Sequence, residues 1–152
     1  MARYLLDTNV LLRIADIGDK QHFTASSAVA QLIGNGDELL IATQNIIEFW
    51  SIGTRPLNVN GVGWDPARVG AEVRTFLAQF GLVDESPQIV HTWLDLVSRY
   101  NVSGKDVHDA RLVALMVMQA VPNIVTFNVA DFRRYSEIQA AHPVDVLNRA
   151  TP

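Results

Sequence analysis

Four carboxylates stand out by where they sit. Asp7 interrupts the apolar run of LLDTNVLL, and Glu48 lies in QNIIEFW among Ile46, Ile47, Phe49 and Trp50. Asp109 lies in SGKDVHDARLVA, and Asp131 in TFNVADF, with Asn128 three residues before it. A carboxylate set into apolar surroundings costs free energy unless it is paired or holds a cation. Acids gathered from distant parts of a chain suit hard cations. Mg²⁺ and Mn²⁺ take oxygen ligands in octahedral geometry, usually with several waters retained. Two such ions about 3.5–4 Å apart clamp the attacking and leaving oxygens of a phosphodiester. Without a cation, such acids repel one another and one or more takes up a proton.

Each acid also has a plainer reading. Asp7 suits a helix N-cap or a buried ion pair. Glu48 suits the surface face of an amphipathic helix. Asp131 suits a helix cap, because Asp-Phe-Arg-Arg reads as one helical turn. Ser103 with Asp106 fits a capping box, and Asp106 with Asp109 an overlapping one. Asp109 differs from Asp106 in leading into Ala110, Leu112, Val113, Ala114 and Leu115, a helix with the look of a buried one. The case for chemistry rests on the set of four.

The elements that must position these acids alternate. Residues 3–7 read as a short buried strand, followed by a helix over 9–16. Residues 21–33 read as a second helix, closed by Gly34-Asn35-Gly36. Residues 39–42 form a second strand, and Thr43 caps a helix over 44–52 that ends at Gly53. Residues 54–66, rich in Gly, Asn and Pro, are a loop. Pro66 opens a helix to about residue 80, and residues 82–83 are a short extended piece. Ser86-Pro87 starts a helix to about residue 100, and Ser103 another to residue 120. Residues 124–127 are a strand, 131–135 a helical turn, and 138–141 a last edge strand. This order predicts an α/β fold with a parallel sheet covered on both faces. Ligands of such sheets bind beyond the carboxyl ends of the strands. Asp7 ends strand one and Asp131 follows the strand at 124–127, so the acids are expected to meet at one edge.

The chain of 152 residues has the size of one domain, and no linker or repeat divides it, so residues 1–152 are read as a single domain. Apolar residues make up 49%, enough for a core. The absence of cysteine removes disulfides, thiolate metal sites and cysteine nucleophiles. No leader pattern opens the chain and no stretch approaches the ~20 apolar residues of a membrane span, which suggests a cytoplasmic protein. A net charge of −4 argues against a simple basic glove for nucleic acid, yet acids that hold cations are neutralised when occupied.

The motifs LLDTNVLL, the glutamate of NIIEFW followed by TRP, VHDARLVA and VTFNVADF, in this order, resemble those of the PIN-domain ribonucleases, and most closely the VapC-type toxins of bacterial toxin–antitoxin pairs. The resemblance spans residues 4–132. It implies a three-layer α/β/α fold with a mainly parallel central sheet and a Mg²⁺- or Mn²⁺-dependent endoribonuclease. Asp7, Glu48 and Asp109 match the family's catalytic, metal-binding acidic triad, and Asp131 its fourth, more variable acid. Thr8 or Asn9, Thr126 and Asn128 match the polar positions that support the acids. Water would attack phosphorus in line, leaving 5′-phosphate and 3′-hydroxyl ends. The implied partners are an RNA substrate, such as tRNA or another structured RNA, a cognate antitoxin whose tail enters the acidic groove, and a second copy in a homodimer. Asp106 is an extra acid where relatives vary; the Asp-Ala-Arg-Leu-Val-Ala context favours Asp109.

Two rivals stand beside this reading. Haloacid-dehalogenase-like phosphatases also place an aspartate at the end of strand one, but need a second acid two residues later, where this chain has Asn9. A PIN-like fold that binds without catalysis is the other. Lys105, Arg111 and Arg13 are read as phosphate contacts or ordinary ion pairs. Arg55 and Trp64 are read as an RNA grip, as residues that fix the long loop, or as lining of a dimer interface. His108 is read as structural, because adjacent helical residues point about 100° apart.

Overall fold

The computed structural model describes residues 1–149. A five-stranded, all-parallel sheet forms the centre, in the order β3-β2-β1-β4-β5. Its strands are β1 (Arg3–Leu6), β2 (Glu38–Ile41), β3 (Gly81–Leu82), β4 (Asn123–Val125) and β5 (Gln139–Ala141). The helices are α1 (Thr8–Ala15), α2 (His22–Gly34), α3 (Thr43–Thr54), α4 (Pro66–Gln79), α5 (Ile89–Arg99), α6 (Val107–Met118) and α7 (Pro143–Asn148).

Alternation along the strands makes two cores. Tyr4, Leu6, Leu39 and Ile41 face one layer, where they meet Leu11, Val29, Phe49 and Phe76 from α1 to α4 and Val146 of α7. Leu5, Leu40 and Ile124 face the other, against Leu96 of α5 and the apolar face of α6. Strands buried on both sides read as continuous apolar runs, which explains Tyr4-Leu5-Leu6 and Leu39-Leu40-Ile41. The result is the expected three-layer α/β/α arrangement, with a sheet that is parallel throughout.

The chain winds outward from β1 through β2 to β3, then returns to the other side of β1 for β4 and β5. Strand order therefore reverses between β1 and β4, where Leu6 registers with Val125. The carboxyl ends of these two strands are the natural place for a ligand crevice.

Several local details differ from the sequence reading. Thr43 is the first helical residue of α3, not its cap. Ala42 occupies the cap, and the Asn45 side chain accepts from its N–H at 2.8 Å. Ser103 makes no side-chain cap bond. Gly104 takes a positive φ of 62° and turns the chain into a 3-10 turn at Gly104–Asp106, so α6 starts only at Val107. Asp106 precedes α6 in helical geometry, which is not the extended geometry of a capping residue, and its carboxylate pairs with Arg134 at 3.4 Å. Asp131 lies inside a 3-10 turn, Val129–Phe132, rather than capping one. Helix α5 begins at Ile89, later than Ser86-Pro87 suggests. Helix α7 was not anticipated, although the His142 side chain caps it and Pro143 is its first residue.

The loop after α3 is tightly organised. Gly61, Val62, Gly63 and Trp64 donate their N–H groups to carbonyls of Pro56, Ile52, Arg55 and Gly53. A Cβ on Gly61 would come within 1.9 Å of the Arg55 carbonyl oxygen, so the closure requires glycine. Trp64 packs against Phe49 with ring centroids 6.3 Å apart, and Arg68 covers it at 3.9 Å. It fixes the loop to the core. Phe49 also meets Phe76 edge to face at 5.1 Å and is fully buried. Phe49→Ala should therefore lower the unfolding free energy by about 3–5 kcal/mol in urea titrations. A loss below about 1 kcal/mol would mean that this aromatic cluster does not anchor α3.

Candidate functional site

The four acids reach one edge of the sheet from four different elements. Asp7 follows β1 and caps α1; Glu48 lies in the second turn of α3; Asp109 lies in the first turn of α6; Asp131 lies in the 3-10 turn after β4. Asp7 continues the ladder beyond β1 by donating its N–H to the Val125 carbonyl at 3.0 Å. It is 8% exposed, Glu48 and Asp109 are half-buried, and Asp131 is exposed.

The carboxyl of Asp7 is held on both oxygens. Oδ1 accepts from the Thr8 N–H at 2.8 Å. Oδ2 accepts from the Thr126 hydroxyl at 2.8 Å and, more weakly, from the Asn9 amide at 3.3 Å. Thr126 spends its one proton on Asp7 and accepts from Asn9 and from the Asn128 N–H, at 3.2 and 3.0 Å. The Asn9 oxygen accepts from the Phe127 N–H at 3.1 Å, locking its amide. Asp7 is thus both the capping residue of its plain reading and the centre of a polar cradle between β1 and β4.

Glu48 is held just as fully. Its Oε2 accepts from the Thr8 hydroxyl and its Oε1 from the Gln44 amide, each at 2.8 Å. Asn45 donates to the Thr8 hydroxyl at 3.3 Å. Gln44 and Asn45 escaped the sequence reading. Their signals were present: Gln44 precedes Glu48 by four residues on one helical face, and Asn45 stands at the third helical position, where side chains reach back to a helix start.

Electrostatics tie the four acids together. Burial pushes the Asp7 carboxyl up to about 6; hydrogen bonds from Thr126 and Thr8 pull it down, and the charges of Glu48 and Asp131 add to the rise. Burial also pushes Asp109 up to about 7, assisted by the charges of Asp7, Asp131, Glu48 and Asp106. Asp109 thus feels every other acid of the set. Among the described residues, no three acidic or histidine side chains converge closely enough to make a ready-formed metal cage. A hydrated Mg²⁺ or Mn²⁺ binds through one or two carboxylates and keeps several waters. The all-oxygen donor set and its unrelieved negative charge fit such a cation, and Asp7, Glu48, Asp109 and Asp131 are the residues that could hold it.

Basic side chains near the site are mostly engaged. Arg111 donates to Glu85 at 3.0 Å and to the Gln44 oxygen at 3.2 Å. Arg13 stacks over Phe127 at 4.7 Å and donates to Gln21 at 2.6 Å. Arg55 turns back to Ser51 at 3.3 Å. The His108 side chain is exposed, and its carbonyl accepts from Gln44 at 2.8 Å.

The raised carboxyls make stability depend on pH. Asp7 and Asp109 sit at about 6 and 7 in the folded chain, against an ordinary value of 3.8. Between about pH 4 and 7 the folded chain therefore binds more protons than the unfolded one, and stability falls as pH rises through that window. In EDTA, the melting temperature should drop from pH 5 to pH 8. Asp109→Asn should flatten that drop, and added Mn²⁺ should restore stability at pH 8. A melting temperature that rises over the same interval would contradict this account of the site.

Comparisons with known proteins agree with the fold. No curated protein matches the chain in sequence. Among solved structures, VapBC2 from Rickettsia felis, bound to a promoter DNA fragment, aligns at a TM-score of 0.67 and 14% identity, over 91% of this chain and 97% of that one. DNA-bound VapBC from Salmonella typhimurium aligns at 0.65 and 18% identity, over 94% and 99%. VapC20 from Mycobacterium tuberculosis, a toxin that cleaves the sarcin–ricin loop, aligns at 0.54 and 18%, over 80% and 86%. At these identities the likeness is one of fold. The PIN domain model matches residues 4–147, nearly the whole length, which removes the dehalogenase-like alternative. On that match the chain belongs to the PIN domain family.

Proposed function

We propose that this chain is a Mg²⁺- or Mn²⁺-dependent endoribonuclease of the VapC type, the toxin of a toxin–antitoxin pair. The observation that carries the reading is that Asp7, Glu48, Asp109 and Asp131 come from four elements to the carboxyl edge of the sheet, near enough for Asp109 to feel the charge of all the others. The fold shared with structures of VapBC complexes supports an antitoxin partner, and the VapC20 likeness supports a structured RNA as substrate.

Each residue has a defined task in this reading. Thr126, Asn9 and the Thr8 N–H hold Asp7 in one orientation and leave an acceptor site on Oδ1 free. Thr8 and Gln44 do the same for Glu48. Asp109, whose carboxyl burial raises to about 7, would give up any proton it holds as a cation is taken up, which would couple loading to pH. Divalent cations held by these acids would stabilise charge on the phosphate and lower the pKa of attacking water. Asp131, the exposed member, is the acid best placed to contact solvent or substrate. The proposal includes a homodimer, to be read from solution mass.

The first test is cleavage of labelled small RNA by protein freed of any copurifying partner, with Mn²⁺, Mg²⁺ or EDTA. Discrete fragments ending in 5′-phosphate should appear only with metal. Asp7→Asn should cut at least about 100-fold more slowly. Cleavage that survives EDTA or the substitution would defeat the proposed site. RNA binding and cell toxicity unchanged in Asp7→Asn would favour a PIN-like binding protein instead.

A further inference from the structure

We propose that Gln44, oriented by Arg111 and Glu85, is a positioning residue that sets Glu48 against Asp109. The proposal rests on the metal-dependent reading above and adds a residue to it.

The geometry is specific. Gln44 is 6% exposed, and every hydrogen-bonding group of its amide is engaged. The nitrogen donates to Glu48 Oε1 and to the His108 carbonyl, both at 2.8 Å. The oxygen accepts from Arg111 Nη1 at 3.2 Å. Two acceptors on one side and a guanidinium on the other allow a single orientation. Rotating the amide by half a turn would set its oxygen against a carboxylate and a carbonyl, and its NH₂ against a cation. Arg111 is fixed in turn by Glu85, whose two oxygens lie 3.0 and 3.3 Å from Nη2.

This chain of bonds crosses between layers. Helix α3 packs on α1 and α4, whereas α6 packs on α5 in the opposite layer. Gln44 touches Glu48 on its own helix and the backbone of His108 on the other, one residue before Asp109. One amide therefore ties the Glu48 carboxylate to the backbone that leads into Asp109. Such outer partners hold ligating side chains in place, and removing one typically costs about 10–100-fold in metal affinity.

Arg111 makes the test one of sign. A cation beside an acidic site weakens the binding of another cation, so its loss should tighten Mn²⁺ binding if charge alone matters. If Arg111 acts by holding Gln44, its loss should weaken binding. Mn²⁺ titration calorimetry on wild type, Asp7→Asn, Gln44→Leu, Arg111→Met and the double variant separates the cases, with circular dichroism to verify folding. The expected results are at least about tenfold weaker binding for Gln44→Leu, weaker binding for Arg111→Met, and a double variant no worse than Gln44→Leu. Arg111→Lys, which keeps one donor toward Gln44, should recover most of the loss. Binding by Arg111→Met that is unchanged or tighter overturns the proposal and leaves the metal reading intact. So does unchanged binding by a folded Gln44→Leu, and if that variant fails to fold, Arg111→Met decides. Wild type that binds no Mn²⁺ overturns both.

Discussion

Like charges held close together beside a buried sheet edge are the constraint on which the rest of this structure turns. A parallel sheet ends its strands side by side, so whatever follows β1 and β4 must share one crevice. Here the residues that follow are Asp7 and Thr126, adjacent across the register of Leu6 and Val125. Placing an ionisable acid there requires compensation close at hand, and the chain supplies it as donors rather than as a counter-charge. The Thr8 N–H, the Thr126 hydroxyl and the Asn9 amide all point at one carboxyl. None of them is cationic, so the site stays negative. Hydrogen bonds ease the burial of Asp7 without cancelling the field that a divalent ion would meet.

The same constraint explains how two helical layers are joined. Glu48 arrives on α3 from one face of the sheet and Asp109 on α6 from the other. Packing of each layer on the sheet fixes the helix axes to within the tolerance of side-chain interdigitation, which is coarser than a coordination sphere demands. The remaining adjustment falls to polar contacts at the edge: Thr8 to Glu48 on one side, Gln44 to the backbone before Asp109 on the other. The apolar cores thus deliver the acids to the same region, and the buried amides and hydroxyls set their orientation.

Much of this was legible in the residues. Apolar runs marked the strands, and Asp7, which halts the first of them, marked a strand end; Glu48 and Asp109 stand on helices and Asp131 in a turn, so only the shared motif order suggested that they belong with it. What escaped was governed by contacts between residues distant in sequence. Gln44 looks like any helical glutamine until His108 and Arg111 come alongside it. Trp64 looked equally suited to stacking on a base and to anchoring a loop; its packing on Phe49 and beneath Arg68 decides for the loop. Asp106 looked like a cap because the pattern allowed it. The positive φ of Gly104 moved the helix start by a turn and freed its carboxylate for Arg134. Helix α7 is only six residues long, too short for periodicity to announce, and its cap is a histidine rather than one of the usual capping residues.

The charge on these acids is hard to account for by structure alone. An asparagine at position 7 could still cap α1, since it ranks with aspartate as a capping residue, although its one oxygen could not accept on both sides as the carboxyl of Asp7 does. A glutamine at position 48 could accept from Thr8 or from Gln44, but not from both as Glu48 does. Either exchange would give up part of the local hydrogen bonding and remove one of the charges that add to the burial-driven rise of Asp109 to about 7. Surplus negative charge, retained at a cost and aimed by neutral donors, is the pattern expected where strain at a functional site is offset by the structure around it. The cradle of Asp7 and the amide beside Glu48 therefore fit the proposed cation site, whose acids they orient without neutralising.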